Sequence, residues 1–155
     1  RRKAVKKLAK VYARVKNLRA EHHHQVASKL VRRYGFIAVE SLNIRGMLGN
    51  DRLARAISDV AWGNFLLTLK SKAESAGVSV VEVDARGTTQ QCSGCSETVL
   101  KGLSVRRHDC PHCGLSLDRD ENAARNILAR GLLARTGPAG GKGQPAFSRE
   151  AVCCS

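Results

Sequence analysis

A chain of 155 residues can build one modest core with a small appendage, and 27 Lys and Arg against 13 Asp and Glu leave it at +14. That charge selects an acidic polymer or an anionic surface as partner. No apolar run reaches the ~20 residues of a membrane span, and no signal peptide is legible at the basic N-terminus, so nucleic acid is the expected partner and a membrane is not.

Residues 3–34 read as one long basic helix. Val5, Leu8, Tyr12, Val15 and Leu18, then Val26, Leu30 and Val31, recur at helical spacing, and no proline interrupts them. Two readings fit: a solvated amphipathic helix, or a helix lying along phosphates with Lys6, Lys10 and Arg14 as contacts. His22, His23 and His24 step by about 100° each and splay to different faces, so the histidines read as surface, with His24 a core or nucleic-acid contact. Gly35 is expected to end the helix. Phe36–Val39 then predicts a buried strand that stops at Glu40, followed by a loop over 41–50. A second helix is expected over 52–76, with Leu53, Ile57, Val60, Ala61, Phe65, Leu69 and Ala73 inward and Trp62 packed in the core. Gly77 closes it, and Val78–Val83 predicts a second strand. A helix between two strands implies a parallel βαβ unit. A last helix is expected over 120–133, with Ala123, Ala124, Ile127 and Leu128 as its core stripe. The Gly- and Pro-rich stretch after it predicts a disordered tail over 136–155, with Cys153 and Cys154 uninvolved.

Between the second strand and the last helix stand two C-x2-C pairs, Cys92 with Cys95 and Cys110 with Cys113. Each such turn supplies two sulfurs to a tetrahedral Zn2+, and the spacing is that of a four-cysteine ribbon. In a basic chain this argues for zinc rather than secreted disulfides.

The carboxylates are ambiguous one at a time. Glu40 ends a strand, where α/β sheets bind ligands, yet acids there are more often simply solvated. Asp120 opens a helix, where an acid ordinarily caps free N–H groups; Asp118 is an equal candidate for that cap. Taken together, Glu40 and Asp120 on separate elements could converge on Mg2+ or Mn2+, which bind oxygen ligands and promote phosphodiester cleavage.

The series Thr88–Cys95, Arg107–Gly114 and Asp118–Leu128, with His24, Ser28, Leu30 and Val39–Ile44 upstream, resembles the C-terminal half of the TnpB (OrfB) proteins of insertion sequences. These are known as probable transposases and are similar to type V CRISPR effector nucleases. The match runs from about residue 5 to about residue 130, with several motifs in order. It implies a partial RNase H-like (RuvC-type) α/β fold with an inserted four-cysteine zinc ribbon and the opening strands missing. The parts would be a partial nuclease domain over 1–87, the ribbon over 88–117, the last nuclease helix over 118–135 and the tail over 136–155. The resemblance implies cleavage of DNA directed by a guide RNA, with base pairing reading the sequence, in the cytoplasm and beside the nucleoid. It places the second and third catalytic acids on Glu40 and Asp120, with Asp118 as second choice for the latter. The zinc ligands fall on Cys92, Cys95, Cys110 and Cys113, and Arg119, Asn122 and Asn126 on support or backbone contacts, with Arg119 a nucleic-acid contact.

The chain departs from the pattern in lacking the first catalytic aspartate and the guide-binding part. Ser96 stands where a glycine is usual after the second cysteine, a mild strain if the turn needs a positive φ. The alternative function is therefore a truncated, inactive zinc-ribbon module that binds DNA or RNA. Two strands with open edges also predict a chain that is marginally stable by itself.

Overall fold

A computed structural model describes residues 1–43, 61–102 and 104–136, together with the backbone strand at 150–154. The chain divides into two compact units, Arg1–Arg33 with Asn43–Gly77 and Tyr34–Leu42 with Val78–Ser155.

Among the described residues, the first unit pairs two helices. Helix α1 spans Arg2–Arg33 and α2 spans Trp62–Ser75. At 1.5 Å per residue their lengths are about 48 Å and about 21 Å, so the shorter cannot cover the longer. The consequence is visible in α1: Ala27 and Val31 are buried, whereas Val5, Leu8, Tyr12 and Leu18 are all more than half exposed. The expected inward face of α2 holds at Phe65, Leu69 and Ala73, which are buried. Trp62, expected in the core, is only half-buried; its ring lies against Phe65 at 5.4 Å between centroids, tilted by 39°, and His23 meets the same Phe65 ring edge-on at 5.7 Å. His23, not His24, is thus the histidine that packs.

Two boundaries move. Ala61, expected inside the second helix, is its N-cap, with φ 50 and ψ 42 in the left-handed region where a helix cannot propagate. Leu53, Ile57 and Val60 lie outside the described residues, as does most of the loop expected over 41–50. Gly77 does close α2, with φ +69 and its N–H bonded to the Glu74 carbonyl.

The second unit is built on a three-stranded sheet in the order β2-β1-β5. Strand β1 spans Tyr34–Glu40, β2 spans Ser79–Val83 and β5 spans Glu150–Cys154. Both neighbours of β1 run parallel to it, as a crossover connection requires. Gly35 does not end α1; it lies within β1, where the register against β5 shifts between Tyr34 and Phe36. Glycine suits such an irregularity. A central parallel strand is buried on both faces, and Phe36–Val39 are at most 3% exposed. The tail expected to be disordered departs from that at 150–154, where the backbone of β5 covers one edge of β1.

Helix α3, Arg119–Thr136, lies against this sheet. Phe36, Ala38, Val83 and Ile127 form the core between them, with Val81 and Leu128 packed at its margin. The approach is tight at Gly131, where a Cβ would fall 2.8 Å from the Cβ of Ala38. Between β2 and α3 the chain makes a small antiparallel hairpin, β3 (Arg107–Asp109) with β4 (Ser116–Asp118).

Candidate metal centre and adjoining carboxylates

The two C-x2-C segments fold as copies of one turn. In the first, Ser96 N–H bonds the Cys92 carbonyl at 2.9 Å and Cys92 N–H bonds the Glu97 carbonyl at 2.9 Å. In the second, Gly114 N–H bonds the Cys110 carbonyl at 2.9 Å and Cys110 N–H bonds the Leu115 carbonyl at 2.8 Å. Both turns need a left-handed residue after the second cysteine: Gly114 has φ 74, and Ser96 has φ 66. The strain expected at Ser96 is real, because a side chain there crowds the backbone.

The two turns bring four sulfurs within 4.8 Å of one another. Cys92 and Cys113 are 3.6 Å apart, as are Cys95 and Cys110. A disulfide needs about 2.05 Å, so these are free thiols. A tetrahedron with metal–sulfur bonds of about 2.3 Å has edges of about 3.8 Å, so the donor set fits a structural metal ion. The sulfurs also compete for ionisation. Burial opposes the Cys92 thiolate, but the N–H groups of Cys95 and Gly94 together with the side chains of His108 and Cys110 outweigh it and bring its pKa down to about 5. At Cys95 the Glu97 N–H favours the thiolate; burial and the sulfurs of Cys113, Cys110 and Cys92 outweigh it, and the pKa rises to about 12. A cation at the centre relieves that mutual repulsion.

Helix α3 clamps the first turn through residues the sequence reading held only as support. Asn122 is fully buried; its Oδ1 accepts from Ser93 N–H at 2.9 Å, and its Nδ2 donates to the Gln91 carbonyl at 2.7 Å. Asn126 donates to the carbonyls of Thr88 and Gln91 at 2.8 and 2.7 Å. Arg130 continues the row, donating to the carbonyls of Asp84 and Arg86 and to the Gln91 side chain. Residues 122, 126 and 130 are spaced by one helical turn. Of the stripe expected at Ala123, Ala124, Ile127 and Leu128, Ala123 and Ile127 are buried, Ala124 and Leu128 are only half-buried, and the polar Asn122 and Asn126 also take interior positions.

The carboxylates separate by role. Asp118 is the cap of α3: its Oδ1 accepts from Asp120 N–H at 2.8 Å and Glu121 N–H at 3.4 Å. Asp120 is left with an exposed side chain, paired to Arg119 Nε at 3.3 Å. Glu40 stands half-buried at the carboxyl end of β1. Burial, and after it the charge of Asp120, push the Glu40 carboxyl above its ordinary range, so two acids eighty positions apart feel each other. Arg119 sits beside Asp120. Its side chain is 15% exposed, and besides Asp120 it donates to the Val105 carbonyl. Lys6, Lys10 and Arg14 are fully available on the exposed part of α1. None of the described helices is long and apolar enough to cross a membrane.

Comparison with known proteins places this arrangement. Residues 1–51 match the family model of the probable transposases of the OrfB type, and residues 62–127 match that of the Cas12f1-like TNB domain. The chain resembles the TnpB (OrfB) proteins. It is 40% identical over 136 residues to a Streptomyces pristinaespiralis protein named "Putative RNA-guided DNA endonuclease", covering 86% of this chain and 34% of that one. It is 33% identical over 132 residues to a TnpB-like protein of Acanthamoeba polyphaga mimivirus, covering 81% of this chain and 25% of that one. The chain thus spans about a third or less of these relatives. A Cas12f1 chain, solved in complex with sgRNA and target DNA, shares the fold with a TM-score of 0.61 at 18% identity, over 82% of this chain and 38% of that one.

Proposed function

We propose that this chain is the C-terminal part of a TnpB-type RNA-guided DNA endonuclease, with an RNase H-like (RuvC-type) sheet and two of the three carboxylates that hold the catalytic metal. The observation that supports it is the coupling of Glu40 to Asp120, at the strand end where such sheets bind ligands. Glu40 and Asp120 would hold Mg2+ or Mn2+, and Cys92, Cys95, Cys110 and Cys113 a structural Zn2+. A divalent ion held there would supply a nucleophilic water and charge stabilisation for the leaving oxygen of a phosphodiester. The chain's own residues set the geometry. Asp118 caps α3 and so frees Asp120 from that task, Arg119 orients the Asp120 carboxylate, and the Asn122–Asn126–Arg130 row fixes α3 against the metal cage. Lys6, Lys10 and Arg14 are the phosphate contacts, with DNA and a guide RNA as partners.

The test uses the whole nuclease that contains this segment, loaded with its guide RNA. Glu40→Ala and Asp120→Ala should each lower cleavage by about a hundredfold or more, since metal-held charge is worth several kcal/mol in the transition state. Zinc content and target binding should be unchanged. Normal cutting by both variants sinks the assignment and leaves a zinc-ribbon binding module.

A further inference from the structure

We infer that His108 positions the Cys92 sulfur of the cage by donating its Nε2–H to the thiolate, and that Lys101 selects the tautomer that can do so. The inference rests on the zinc reading above. His108 lies on β3 two residues before Cys110 and is fully buried. Its Nδ1 pairs with Nζ of Lys101. An ammonium has donors only, so Nδ1 accepts and the ring proton stays on Nε2. That Nε2 is buried and lacks a partner of ordinary hydrogen-bond geometry, a state shared by only two other side-chain atoms among the described residues. A buried donor is rarely left so.

The acceptor within reach is sulfur. The imidazole lies close enough to Cys92 to favour its thiolate, and Lys101 also feels the Cys92 charge. Electrostatics explain why this sulfur needs donors. Four thiolates around a dication leave a charge near −2 on the cage. Exposed Cys113 shares its part with water. Cys92 is fully buried and cannot. Protein N–H groups collect at it instead: those of Cys95 and Gly94, the latter 3.4 Å from the sulfur, and His108 supplies a third. Such outer contacts orient ligands and raise metal affinity.

The test takes the full chain with zinc, and again with Co2+ in its place, as parent, His108→Phe, His108→Gln and Lys101→Met. Phe keeps the ring volume and loses the donor; the Gln amide puts an N–H where imidazole Nε2 was. His108→Phe should lower metal affinity about tenfold in chelator competition and move the thiolate-to-cobalt absorption to lower energy. His108→Gln should restore both readouts, and Lys101→Met should give a smaller loss in the same direction. Parent-like affinity and absorption in His108→Phe overturn the inference. So do equal losses in Phe and Gln, which would mark a packing role, or nitrogen in the zinc coordination shell by X-ray absorption. Should His108→Phe not fold, an absorption unmoved in Lys101→Met overturns it as well. A parent chain that takes up no zinc overturns the cage itself, a failure distinct from these.

Discussion

Ser96 shows how one residue can carry a cost that its neighbours hide. Its turn is held by the same backbone bonds as the turn at Gly114, yet it has a Cβ at φ 66. Ser96→Gly should therefore stabilise the chain by about 0.5–1 kcal/mol without changing zinc content, as read by the thermal midpoint of the zinc-loaded protein. Glu40 carries a cost of another kind. Burial and Asp120 raise its pKa in the folded state, so the folded state holds that proton more tightly than the unfolded one. Its contribution to stability is present below the ordinary carboxylate range and is lost as pH rises through the raised value. A divalent cation competes with the same proton, so Mn2+ affinity should climb across that window. Asp120→Asn removes the second cause and should lower the Glu40 midpoint in a carboxyl NMR titration. An unmoved midpoint would mean that the two acids are not neighbours.

At the scale of elements, the seat of α3 on the sheet depends on what is missing from a side chain. The Cβ of an alanine at 131 would lie 2.8 Å from Ala38 and 3.2 Å from the Phe36 ring. Both belong to the buried central strand and cannot swing aside. Gly131→Ala gains about 1 kcal/mol in helix propensity and loses about 1–3 kcal/mol by overpacking. The net expectation is a loss of up to about 2 kcal/mol in urea unfolding. A gain would show that α3 does not approach β1 so closely. The row Asn122, Asn126 and Arg130 then decides orientation, because its donors meet carbonyls of the 84–91 segment that otherwise have no strand to bond.

For the whole molecule, the division into two units sets what a metal can hold together. The cage, the sheet and α3 share one unit, and α1 and α2 make the other. Removing zinc with a chelator should unfold the two cysteine turns and loosen α3, since a structural zinc site contributes its binding free energy to folding. Helicity from α1 and α2 should largely remain. Circular dichroism with amide exchange would check this: protection lost at Asn122 and Asn126 and kept near Leu69 is the expected pattern, and uniform loss would show one cooperative body.

The amino-acid sequence by itself determined the cysteine cage, the parallel pair of strands, the long basic helix and the inward face Phe65, Leu69, Ala73. Each follows from a local spacing or from an apolar run too short to be anything else. Ranking the acids needed the third dimension. Asp118 and Asp120 are indistinguishable by spacing, and only the packed helix start makes one a cap and leaves the other to raise the Glu40 pKa. The same holds for β5, for Gly35 within a strand and for the fit at Gly131. Pairing partners, strand edges and close approaches are set by chain segments far apart in sequence, and those meet only once the core has closed.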